Sequence, residues 1–188
     1  MRTTSVFGRI WSASIIAAVA TLLVSPVPAH GQWTAAPTMA VGLAVPGGAL
    51  HDAVAEGITG KFGVWMRAPG VPVGLTSEVL YTHLRGGRSA PRAGHLRIAA
   101  VLANVTSRRH EGRLDPYVTV GGGWYHHGDP DNRFVSSTAP GLNVGLGEVI
   151  AVGERDYFVE VRLHAMRTAT PTGRTWTTFL PLMMGLRF

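Results

Sequence analysis

Hydrophobic residues recur at every second position over most of the chain. In the first run Met39, Val41, Leu43 and Val45 share one face, with Ala40, Gly42 and Ala44 between them. The second sets Ile58, Gly60, Phe62, Val64 and Met66 against Thr59, Lys61, Gly63, Trp65 and Arg67. Leu75, Ser77, Val79 and Tyr81 then alternate with Thr76, Glu78, Leu80 and Thr82. Leu96, Ile98, Ala100 and Leu102 alternate with Arg97, Ala99, Val101 and Ala103. Val118, Val120, Gly122 and Trp124 face away from Tyr117, Thr119, Gly121 and Gly123, and Leu142, Val144 and Leu146 from Asn143, Gly145 and Gly147. Tyr157, Val159, Val161 and Leu163 oppose Phe158, Glu160, Arg162 and His164. The last run, from Trp176, carries Leu180, Leu182, Met184, Leu186 and Phe188 on one face.

A period of two is the signature of a strand, and no stretch shows a helical period. Between the runs lie PGGALHD, RAPGVP, RGGRSAPRAG, RRHEGRLDP, HHGDPDN, AVGERD and TATPTGR, rich in Gly, Pro and Asp as hairpin connections are. Eight strands with short connections predict an all-β fold, a closed antiparallel up-and-down β-barrel that leaves no edge unpaired.

Alternation alone does not say which face is outside. A soluble barrel of the lipocalin kind keeps its apolar face inward, whereas a transmembrane barrel reverses it. Composition separates the two. Charged residues make up 15% of the chain, against ~25% in ordinary soluble domains. The less apolar face is dominated by Gly, Ala and Thr, a poor surface for water but suited to a crowded lumen. Its charges come in both signs: Lys61, Glu78, Arg97, Glu160, Arg162 and Arg187. Pointing into one lumen, they can pair, as buried charges must. Glu160 and Arg162 are two apart and share a face. The expected lumen charge network is Lys61, Glu78, Arg97, Glu160 and Arg162, structural in role. Trp33, Tyr81, Trp124, Tyr157 and Trp176 fall near strand ends, where interfacial girdles form.

The chain carries 24 glycines in 188 residues and no cysteine, which excludes disulfides and thiolate metal sites. Its +6 formal charge is spread over scattered arginines without an aromatic-interleaved basic run, so nucleic acid is not an expected partner. Arg2 and Arg9, the apolar stretch Ile10–Val24 and the small residues Ala29-His30-Gly31 read as a secretory signal over 1–31. The barrel domain is then expected over 32–188.

GLAVPGG, DPYVTVGGGWY, PGLNVGLGEV, YFVEVRLHAM and LPLMMGLRF, in this order, resemble the small eight-stranded outer-membrane β-barrel proteins, the porin-like group that includes the OmpA-type membrane domain. The resemblance implies a protein of the cell outer membrane, in contact with its lipid. With no complete catalytic constellation in the residues, a non-enzymatic structural or surface role, or a narrow pore, is expected, without cofactor and as a monomer. The resemblance further implies a C-terminal signal for the barrel-assembly machinery at Leu182, Met184, Leu186 and Phe188, with Leu186 where an aromatic is usual. It also implies periplasmic termini, external connections around 46–56, 85–94, 126–137 and 167–175, and periplasmic ones around 67–72, 107–115 and 150–156.

Three alternative chemistries are weaker. Outer-membrane lipid A deacylases use a His followed two positions later by Ser; His164 is followed there by Met166, so the nucleophile is missing. His126, His127, Asp129 and Asp131 offer metal-ligating atoms, but adjacent residues of a strand point apart. The triple glycine at 121–123 is not followed by a helix and suits close strand packing better than phosphate binding.

Overall fold

The computed structural model describes residues 33–87, 95–108, 114–128, 136–153, 155–170 and 173–188; the leader expected over 1–31 lies outside them. Eight strands follow in chain order: β1 (Thr34–Gly47), β2 (Val54–Arg67), β3 (Val73–Gly86), β4 (Leu96–Arg108), β5 (Leu114–Gly128), β6 (Ser137–Val152), β7 (Arg155–Thr170) and β8 (Gly173–Arg187). Each pairs antiparallel with the next, and β8 returns to β1 to close the barrel. That seam runs from Thr38 opposite Arg187 to Gly47 opposite Thr178. Beyond it, the Phe188 N–H still donates to the Pro37 carbonyl at 3.0 Å.

The strands are 13 to 16 residues long, more than the ~9–11 a tilted strand needs to cross hydrocarbon. The extra length comes from segments whose turn-like composition suggests connections: β2 begins at Val54, and His126 and His127 belong to β5. A helix of five residues, α1 (Ala49–Ala53), joins β1 to β2; it is too short for a helical period to register in the sequence. Trp33, just before β1, and Phe188 share one end of the barrel with the turns at Gly70 and Gly153, whose positive φ values (72° and 62°) suit glycine. α1 lies at the opposite end.

Burial alternates along every strand, and the outward face is the apolar one. Val41, Ile58, Leu142 and Met184 are each more than 60% exposed. Tyr81, Trp124 and Trp176 ring the α1 end of this outer wall, and Trp33, Tyr157 and Phe188 ring the other. Inward positions are small, polar or tightly packed. Gly123 illustrates the crowding: a Cβ there would come within 2.0 Å of the Val101 carbonyl oxygen. Gly121 and Gly123 therefore serve close approach of β5 to β4, and Gly122 that of β5 to β6.

β4 corrects the sequence reading. Leu96, Ile98, Ala100 and Leu102 point inward and are buried, while Arg97, Val101 and Ala103 point outward and are exposed. Arg97 is thus outside the lumen. Both faces of this strand are apolar, so its pattern did not discriminate between them. A shift of one residue exchanges the faces completely, and the hydrogen-bonded register with β3 and β5 decides.

This orientation divides the lumen in two. Toward the α1 end, Leu50, Val54, Leu80, Leu84, Leu96, Ile98, Leu102, Met166 and Phe179 form one buried apolar cluster, with Leu50 contributed by α1. Toward the opposite end, where Trp33 and Phe188 lie, the lumen is charged.

The closing strand carries one irregularity. Pairing of β7 with β8 runs to Val161 opposite Leu182 and resumes at His164 opposite Phe179 in the same register. Pro181 sits in the gap; having no N–H, it cannot donate to the ladder.

Candidate functional site in the barrel lumen

Four buried charges meet in the terminal half of the lumen. Lys61 on β2 places Nζ 2.6 Å from Glu160 and 3.5 Å from Glu78. Arg162 donates through Nη2 to Glu160 at 2.8 Å and through Nη1 to Glu78. Their side chains are between 1% and 4% exposed. Glu78 is on β3 and Arg162 on β7, four strands away around an eight-stranded wall, so the pair bridges opposite sides of the barrel. Two carboxylates balance two cations, which is what makes such burial tolerable.

Of the five residues expected in this network, the structure brings together Lys61, Glu78, Glu160 and Arg162 and leaves Arg97 on the outer wall. It adds a member. The Tyr117 hydroxyl on β5 donates to Glu160 Oε2 at 2.9 Å. The tyrosine ring lies over Gly147 on the neighbouring strand, where a Cβ would approach its Cζ to 2.3 Å. Tyr117 and Gly147 are register partners, so the aromatic–glycine pairing that positions the hydroxyl needed the register to be seen. Phe158 and Gly185 repeat the arrangement, and Lys61 Nζ sits 5.3 Å from the Phe158 ring centre.

Between this cluster and the barrel end at Phe188 is a cavity of about 50 Å³, lined in part by Thr38, Trp65, Thr76, Thr106 and Tyr117. That is room for a few waters. Two further ion pairs stand at its mouth, Arg108 with Asp115 and Arg187 with Asp156. The Arg187 guanidinium lies 4.6 Å from the Trp65 ring centre, with Arg67 and Arg108 each at 5.9 Å.

On the other side of the cluster the lumen is filled by buried side chains. His164 is fully buried; its Nδ1 is 2.8 Å from the Tyr125 hydroxyl and its ring stacks on Phe179 with centres 4.7 Å apart. Met166, two residues on, is buried in the apolar cluster and supplies no nucleophile. His126 and His127 point to opposite sides of β5: His127 is buried, and His126 is exposed with Nδ1 2.9 Å from the Thr138 hydroxyl. Asp129 and Asp131 lie outside the described residues. Among the described residues, no group of three or more His, Asp or Glu side chains is placed to share a metal ion.

Leu182, Met184, Leu186 and Phe188 all lie on the outward face of the closing strand, with Leu186 partly covered and the others exposed. Nearby, Met39, Val41, Gly60, Phe62, Met184 and Leu186 bound an apolar depression on the outer wall, deepened by the missing side chain of Gly60.

The closed barrel fold has solved counterparts. The fold resembles that of Neisserial surface protein A. The likeness has a TM-score of 0.66 at 14% identity and covers 83% of this chain and 97% of that one. A major outer membrane protein from Thermus thermophilus aligns at TM-score 0.47 and 15% identity, over 82% of this chain and all of that one. The outer membrane protein AlkL, solved in DMPC bilayers, aligns at TM-score 0.41 and 15% identity, over 87% and 93% of the two chains. No protein-family model matches the chain, and no curated protein sequence does.

Proposed function

We propose that this protein is a non-enzymatic component of the bacterial outer membrane, a transmembrane barrel whose lumen is closed. One observation carries the reading: the wall is apolar outside and ion-paired inside. A soluble binding barrel would have the opposite arrangement, and it would not leave Val41, Ile58 and Met184 facing water. Lipid also requires every backbone polar group at membrane depth to be paired, which closure of β8 on β1 accomplishes.

The closed lumen supports a structural or surface role over transport. An eight-stranded barrel leaves an interior just wide enough for side chains to fill. Here it is filled by buried apolar side chains and, toward the end opposite α1, by the Lys61–Glu78–Glu160–Arg162 cluster packed against them. A lipid-modifying enzyme is disfavoured because His164 is buried among Tyr125 and Phe179, away from the lipid-facing wall.

The test is fractionation of cells expressing the full chain, followed by electrophoresis with and without boiling. Recovery with outer membranes and a heat-dependent mobility shift are expected. Recovery in the soluble periplasm would overturn the reading.

A further inference from the structure

The correction at Arg97 exposes a feature of the outer wall. At the α1 end, β3 directs His83 and Arg85 outward, and the adjoining edge of β4 directs His95 and Arg97 outward. His83 stands directly opposite Arg97 in the register. The His83 and His95 rings stack with centres 5.2 Å apart and planes at 21°. Arg85 is steadied by one hydrogen bond, from Nε to the Glu56 carbonyl at 3.1 Å. On the next strand, His126 faces outward opposite Ala99. Two arginines and two histidines thus occupy one patch across two neighbouring strands.

The patch differs from the cations of the lumen and its mouth. Lys61, Arg108, Arg162 and Arg187 each pair with a carboxylate. Among the described residues, neither Arg85 nor Arg97 does, and Arg97 makes no polar contact at all. Arg85 and Arg97 carry like charge on the same outward face of neighbouring strands, which is destabilising. An external anion offsets that repulsion.

Position identifies the anion. Tyr81 and Trp124 are the outward aromatics two residues before His83 and His126, about 7 Å along the strand. Such aromatics sit at the headgroup boundary. The cations therefore stand just beyond it, at the level of phosphate groups. Arginine matches phosphate through its planar fork of donors, and its aliphatic stem can lie on the apolar wall. We infer that Arg85 and Arg97, flanked by His83 and His95, form a binding site for the phosphorylated headgroup of a lipid in the leaflet at the α1 end. This rests on the membrane reading above and extends it to a specific lipid contact.

The experiment uses the mature chain folded in phosphatidylcholine vesicles containing bis-phosphorylated lipid A, with folding confirmed by the heat-dependent shift. After extraction in mild detergent, native mass spectrometry counts retained lipid. The wild type should retain lipid A in preference to its dephosphorylated form. The double variant Arg85→Gln/Arg97→Gln should retain about tenfold less, each basic group near a membrane surface contributing several-fold. Arg155→Gln, at the opposite end, should behave as wild type. Equal retention of the two lipid forms, an unchanged double variant, or an equal loss in Arg155→Gln would overturn the site. Displacement of the lipid by excess inorganic phosphate alone would overturn the lipid as its occupant. If the double variant fails to show the heat shift, Arg97→Gln and Arg97→Lys decide the matter at an exposed, uncontacted position. A severalfold loss in the first with retention in the second supports the site, and identical behaviour overturns it. Failure of the wild type to fold into vesicles would instead refute the membrane reading.

Discussion

Replacing Glu160 by Gln tests the lumen cluster most directly. The side chain keeps its shape but loses its charge. Glu160 accepts from Lys61 Nζ at 2.6 Å, Arg162 Nη2 at 2.8 Å and the Tyr117 hydroxyl at 2.9 Å. Its removal as an anion leaves Lys61 and Arg162 to share Glu78, with Lys61 3.5 Å from it. One buried cation is then uncompensated. Breaking a buried ion pair from one side costs about 3–5 kcal/mol. With a urea dependence of about 2 kcal/mol per molar, the unfolding midpoint should fall by about 2 M. Reversible unfolding from vesicles, followed by tryptophan fluorescence, measures it. The double variant Glu160→Gln/Lys61→Met restores neutrality, with Glu78 facing Arg162. It should be more stable than the sum of the single effects by at least about 1 kcal/mol. A Glu160→Gln cost below about 1 kcal/mol, or strict additivity in the cycle, would refute the view that the cluster works as a balanced buried unit.

Other outcomes follow from the same geometry. Gly147→Ala should destabilise the barrel by about 1–3 kcal/mol in the same assay, because the new Cβ displaces the Tyr117 ring from beneath its bond to Glu160; a neutral result would mean that the ring is not held there. In planar bilayers the wild type should show no large stable conductance steps, since buried side chains fill the lumen; nutrient-scale channels would refute the proposal of a closed lumen. Deleting Phe188 should reduce assembled, heat-shifting protein far more than His126→Ala does, because Phe188 extends the β1–β8 seam and occupies the outward face of the closing strand. Comparable yields from the two variants would count against a terminal assembly signal.

Much of the barrel was legible in the residues. The alternation in β1, β2, β3 and β5 to β8 was legible because one face is the more apolar and the other is richer in Gly, Ala, Thr or charge, even though Leu80, Phe158, Phe179 and Met183 also turn inward. Lys61, Glu78, Glu160 and Arg162 could be grouped because opposite charges confined to an inner face have only one another to pair with. Tyr117 was readable as inward, but its bond to Glu160 depends on where β5 and β6 align and on the space Gly147 leaves. The headgroup-level patch was hidden because Arg97 looked like an interior charge on a strand with one polar residue among apolar neighbours.

The sequence by itself therefore determined the strand count, the closed architecture and the identity of four interior charges. These depend on local periodicity and on the rule that buried charge must be neutralised. Tertiary structure alone decided the facing of β4, the insertion of Leu50 from α1 into the mouth, and the partition of the lumen into apolar and charged halves. A strand apolar on both sides has no local preference for either. Its orientation is fixed by hydrogen-bond register with neighbours far away in the chain, and a shift of one residue turns Arg97 from the lumen to the lipid-facing wall.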